Sequence, residues 1–91
     1  MRTIYKYPIE LQNKQLLELP KGSRVLSAQE QYGGINIYAL VDTDLKETEK
    51  IVILLYGTGH RITEDIEEYR FLDTVSMHGG NLVIHVFTEQ L

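Results

Sequence analysis

Residues 51–60 read Ile51-Val52-Ile53-Leu54-Leu55-Tyr56-Gly57-Thr58-Gly59-His60. This is the most apolar run in the chain, and it ends in a threonine set between glycines, followed by a histidine. Apolar residues from Ile51 to Tyr56 without alternation predict a central strand covered on both faces. One cover is the core; the other is a second layer or a subunit. Charge flanks the run, since residues 42–50 read DTDLKETEK, a loop. The glycines after Tyr56 end the strand and hand the chain to a loop.

Working outward, Thr3 to Pro8 predicts a strand with Thr3, Tyr5 and Tyr7 on one face and Ile4 and Lys6 on the other. Pro8 ends this strand or marks it as an edge, because it cannot donate to a ladder. Residues 9–14 are a polar link, and Gln15 to Leu19 is a short strand closed by Pro20-Lys21-Gly22. Ser23 to Gln31 and Ile35 to Val41 form a hairpin about Gly33-Gly34. Its expected register sets Glu30 against Ile37, Ala28 against Ala39 and Leu26 against Val41, with Gln29 and Tyr38 on the outer, polar face. Residues 57–68 are a loop in which TEDIEE is too short and acidic for a helix. Tyr69 to Met77 and Leu82 to Thr88 form a last hairpin across His78 to Asn81. Its expected pairs are Met77 with Leu82, Val75 with Ile84, Asp73 with Val86, Ser76 with Val83, Thr74 with His85 and Leu72 with Phe87. About seven short strands at this spacing predict an all-β domain, a small antiparallel sandwich or partly open barrel.

The 91 residues allow one domain, and a chain so short often gains stability by oligomerising. A net charge of −4 with scattered Lys and Arg argues against nucleic acid as a partner. The absence of cysteine excludes disulfides, thiolate metal sites and cysteine nucleophiles. No apolar run reaches membrane-span length and MRTIYKYPIE has no secretory apolar segment, so no membrane partner and a cytoplasmic location are expected.

The loop Gly57-Thr58-Gly59-His60 is the first candidate site. Its glycines let backbone N–H groups crowd an anion, Thr58 adds a hydroxyl and His60 a titratable ring. It lacks the lysine and spacing of a phosphate loop. The alternative reading is a strand-end turn needing glycine dihedrals. Of His60, His78 and His85, the last two lie too far apart along the predicted hairpin to chelate a metal together and only a fold-dependent approach of His60 would change that, so no metal or cofactor is expected, and a His85 bonded to Thr74 or to backbone is the simpler outcome. The acidic residues 64–68 read as a solvated loop face. Tyr5, Tyr7, Tyr38, Tyr56 and Tyr69 sit in or at the ends of strands. With Gln29, Gln31 and Asn36 they could line a pocket for a nucleotide-like ligand, or follow from β-propensity alone.

Five pieces, taken in order, resemble a family of small uncharacterised domains found in phages and bacteria. They are Thr3-Ile4-Tyr5-Lys6-Tyr7, Leu19-Pro20-Lys21-Gly22, Ala39-Leu40-Val41-Asp42, Tyr56-Gly57-Thr58-Gly59-His60 and His85-Val86-Phe87. The resemblance spans nearly the whole chain. It implies a compact β-rich domain in a phage or prophage setting, acting in the host cytoplasm, and it implies no activity. Small phage proteins of this size often counter host defence. The leading expectation is a non-catalytic binding module, not an enzyme, working as a homo-oligomer. It would bind a small molecule or a host protein through Thr58, Gly59, His60, Tyr38 and Gln29. The alternatives are a structural or assembly protein without a ligand, and a small hydrolase using His60.

Overall fold

The computed structural model describes residues 1–89. It is a sandwich of two antiparallel sheets, not closed into a barrel. The strands are β1 (Arg2–Ile9), β2 (Lys14–Pro20), β3 (Arg24–Gln31), β4 (Gly34–Asp42), β5 (Thr48–Gly57), β6 (Arg70–Met77) and β7 (Leu82–Thr88). One sheet has the order β1-β4-β3 and the other β2-β5-β7-β6. All seven expected strands are present. The only helical pieces among the described residues are two short 3₁₀ turns, at Ile66–Glu68 and His78–Gly80.

Alternation along the strands builds the core. Ile35, Ile37, Ala39 and Val41 of β4 face Ile51, Ile53 and Leu55 of β5, and Val75, Met77, Ile84 and Val86 complete the layer. Tyr7 lies opposite Ile37 and packs on this core, as the face expected for Thr3, Tyr5 and Tyr7 requires. β1 is an edge strand, which is why Pro8 is tolerated within it.

The strand read from residues 51–56 is interior to the four-stranded sheet and covered on both faces. Leu54 is 0% exposed and Tyr56 4%, yet both point away from the core that holds Ile53 and Leu55. β5 and β6 run parallel with β7 between them, so residues 58–69 must travel back along the sheet. They do so over its outer face, where Glu64 meets Lys14 at 3.1 Å and Lys14 lies opposite Leu54. The second layer is therefore a segment of the same chain.

The β3–β4 hairpin corrects the expected register. The turn residues are Tyr32 and Gly33, with φ of +54° and +83°, and Gly34 already belongs to β4. Ala28 lies opposite Ile37 and Glu30 opposite Ile35. Small now meets large instead of alanine meeting alanine. Glu30 also sits closer to the turn, where its carboxylate accepts the Gly33 N–H at 2.9 Å. A bulge at Leu26 then flips the strand, so Val25 takes the core position expected for Leu26 and pairs with Ala39. In the β6–β7 hairpin five of the six expected pairs form. A second bulge, at Leu72, replaces Leu72 with Phe71 opposite Phe87.

These connections sort the loops between two poles. One pole collects the 10–13 link, the Tyr32-Gly33 turn, the Gly57–His60 loop and the 78–81 turn. The other collects Met1, the 21–23 turn and the 43–47 loop.

Candidate functional site

The Gly57–His60 loop is a tight turn at the first pole. The His60 N–H donates to the Gly57 carbonyl at 3.1 Å, and Gly59 has φ +84°, which the third residue of such a turn requires. The Thr58 N–H points to the Val83 carbonyl at 3.4 Å. Two amides expected to crowd an anion are thus engaged within the protein.

The turn separates its two chemical side chains. Thr58 continues the outward alternation of Leu54 and Tyr56. Its Oγ1 lies 2.7 Å from His85 Nε2, while Thr74 Oγ1 lies 3.0 Å from His85 Nδ1. The His85–Thr74 contact is the one expected from the hairpin register; the Thr58 contact completes it. Hydroxyls donate or accept, so this pair holds the ring in either tautomer. His60 goes the other way. Its ring folds back over Gly57 so closely that a Cβ built on Gly57 would lie 2.7 Å from Cε1 and 2.9 Å from Nδ1. The glycine at 57 is needed for this approach and not for its dihedral angles.

Beside the ring, the mouth of the sandwich opens into a cavity of about 210 Å³. Leu55, Leu82 and Ile84 form an apolar floor, Gly57 and His60 one wall, and residues 11–13 the other. Asn13 fixes that second wall. Its carbonyl accepts the Leu55 N–H at 2.9 Å, and its Nδ2 donates to the Leu55 carbonyl at 2.8 Å. Gln12, also on the cavity wall, has its carbonyl taken by Gln15 Nε2 at 3.3 Å.

The other expected site residues lie elsewhere. Tyr38 is on the outer face of the three-stranded sheet, between Lys6 and Ser27. Gln29 lies opposite Asn36 on that face and also borders a polar cleft shared with Thr74. The fold does not bring Tyr38 or Gln29 to His60. His60, His78 and His85 stand apart, and no group of three metal-ligating side chains occurs among the described residues. Glu64 of the acidic stretch pairs with Lys14, and this contact holds the Lys14 ammonium above its ordinary range. No helix among the described residues is long and apolar enough to cross a membrane.

Sequence reasoning missed the 10–13 link as a cavity wall and Gly57 as a seat for a side chain. The usable signal was an apolar Leu11 in an otherwise polar link.

The fold and the cavity together define a small all-β sandwich with a loop-built recess at one pole. The chain belongs to the family described as Domain of unknown function (DUF7352), whose match covers residues 1–91. Comparison with curated proteins and with solved structures returns no match.

Proposed function

We propose that the chain is a non-catalytic binding module that takes a small, ring-sized molecule, such as the base of a nucleotide-like ligand, into the cavity beside His60. The supporting observation is the cavity itself, about 210 Å³ with an apolar floor and a titratable ring swung over Gly57. An apolar cavity of about 150 Å³ accepts a benzene-sized ring, so the volume suits one planar ring with its substituents outside. His60 would read the polar edge of that ring, Gly59 holds the turn, and Thr58 anchors the loop to His85. In the phage or prophage setting that the sequence resemblance implies, such a module counters host defence by holding a nucleotide-like signal without altering it.

The test is calorimetry and thermal shift with a panel of free nucleobases, nucleosides and nucleotides. A member of the panel is expected to bind and come off chemically intact. His60→Ala should weaken that binding at least tenfold without moving the melting temperature; unchanged affinity rejects the site.

A second reading, assembly through subunit contacts, is favoured by one feature. Leu16 is 62% exposed and Phe71 52% exposed on the outer face of the four-stranded sheet. Sedimentation of the wild type against Leu16→Lys and Phe71→Lys decides it, since a homo-oligomer built on this face dissociates in both variants.

A further inference from the structure

The two sheets meet along a seam between β3 and β6. Arg70 Nη2 donates to the Val25 carbonyl at 2.8 Å, and the Ala28 N–H donates to Asp73 Oδ2 at 3.3 Å. Both contacts ascend together, so the strands run parallel across the seam. No ladder joins them, because neither ordered sheet places β3 beside β6. A side chain stands in for the missing ladder. The Asp73 carboxylate takes the Ala28 N–H through one oxygen and the Thr74 N–H, at 3.0 Å, through the other. One outward donor from each sheet is thereby satisfied.

Beyond this bridge the seam opens. A cleft of about 320 Å³ lies between residues 28–30 of β3 and 74–76 of β6. Backbone groups alternate sides along a strand. Ala28 and Thr74 turn their N–H groups to Asp73, so Glu30 and Ser76, two residues on, turn theirs into the cleft. The cleft therefore presents two strand edges of the kind that accept an added strand. At about 3.3 Å per residue its length matches about three residues of extended chain. Glu30 is the charged residue that lines it, and the Asp73 carboxylate bounds it at the bridge, so the charge it offers is negative. Two residues past Glu30, in the β3–β4 turn, Tyr32 is 96% exposed.

We infer that this cleft is a docking site for an extended peptide segment of a partner protein carrying a basic side chain. The peptide backbone pairs with the Glu30 and Ser76 edges, the basic side chain meets the two carboxylates, and Tyr32 covers a flanking residue. The site is separate from the cavity beside His60 and does not depend on it.

The probe is the synthetic peptide acetyl-Thr-Val-Lys-Val-Thr-amide, titrated into the ¹⁵N-labelled full chain. The amide signals of Glu30 and Ser76 should move with saturation. A fully N-methylated analogue keeps every side chain but loses its donors, and it should bind at least tenfold more weakly. The analogue with Glu for Lys should bind more weakly as well. Ser76→Pro removes a cleft-facing N–H while sparing the β7 ladder, and it should lose peptide binding with the remaining amide spectrum dispersed. The peptide analogues test the inference on the wild type should that variant not fold. Equal binding by the N-methylated analogue overturns the inference, as do shifts confined to Leu55, His60 and Leu82.

Discussion

Gly57→Ala separates the stability of the loop pole from its binding role. The new Cβ would lie 2.7 Å from His60 Cε1, 2.9 Å from Nδ1 and 3.2 Å from Nε2. Carbon–carbon contacts settle at about 3.5–4.0 Å, so the ring must retreat by roughly 1 Å. It can do so, because His60 is exposed and the obstructing atoms are the far end of its side chain. Gly57 is not among the glycines with positive φ, so alanine fits the backbone. Replacing a strand glycine with alanine gains about 0.5–1 kcal/mol. Moving the ring off its rotamer costs about 0.5–1.5 kcal/mol. The two nearly cancel, and a net change within about 1 kcal/mol keeps the melting temperature within about 4–8 °C of wild type. The cavity changes far more, because a methyl group enters it and the ring wall moves. Affinity for the proposed nucleobase-type ligand should fall at least tenfold, about 1.4 kcal/mol. Calorimetry and thermal melting on the same samples check both numbers. Unaltered affinity refutes the cavity as the site. A melting temperature lowered by more than about 15 °C refutes the premise that the ring is free to move.

Leu54→Ala should cost about 2–5 kcal/mol, like a core leucine, although Leu54 faces away from the core. Leu16→Ala on the same face should stay within about 0.5 kcal/mol, and urea melts of the two test whether residues 58–69 form a packed layer. The Tyr56 hydroxyl is buried without a hydrogen-bond partner among the described residues. Tyr56→Phe should therefore be neutral or stabilising by about 1 kcal/mol in chemical denaturation, and a clear loss of stability would reveal a partner. Tyr32→Asn should raise stability by about 1 kcal/mol, because asparagine accepts the left-handed backbone that tyrosine resists. At the opposite pole the Asp44 N–H and the Met1 amine hold the Asp42 carboxyl below its usual range, while Asp44 and Asp42 hold that amine above its own. Asp42 thus contributes stability above the ordinary carboxylate range, lost as acid protonates it below that range. The amine contributes below the ordinary α-amino range, lost as alkali removes its proton. Thr43 and Asp44 amide shifts should stay constant through neutral pH and change at both ends; acetylating the amine should move the acid transition upward.

The strand set was legible because it rests on composition and alternation. Continuous apolarity marked β5 as covered on both sides, and the 77/82 register of the last hairpin follows from the length of the His78–Asn81 turn. The misreadings have local causes. A Gly-Gly pair looks like the better turn, but the turn forms at Tyr32-Gly33 because packing prefers Ala28 opposite Ile37. The bulges at Leu26 and Leu72 leave no mark in the hydrophobic pattern, and both lie where β3 and β6 must be bridged. The candidate loop was legible as a loop, while the divergence of Thr58 and His60 was not. That depends on a glycine used for close approach, and sequence alone does not distinguish that use from a dihedral one.

The departures from folding rules are not spread evenly over the molecule. Tyr32 and His78 are the described non-glycine residues with positive φ, and both lie at the pole that holds the cavity. Four of the five positive-φ glycines lie there too: Gly33, Gly59, Gly79 and Gly80. The same pole leaves Tyr32 almost fully exposed and an apolar floor open to solvent. The opposite pole shows ordinary solutions. Met1 pairs with Asp42 and Asp44, Lys21 with Glu47, and the Gly22 N–H donates to Glu49 at 3.1 Å. Strain of this kind costs roughly 1–3 kcal/mol per residue and persists where surrounding structure holds it, commonly at functional sites. A domain this small has little stability to spare. Asparagine or glycine at position 32 would relieve the strain without disturbing a buried contact. An exposed tyrosine kept there supports the proposed contact outside the chain at that pole.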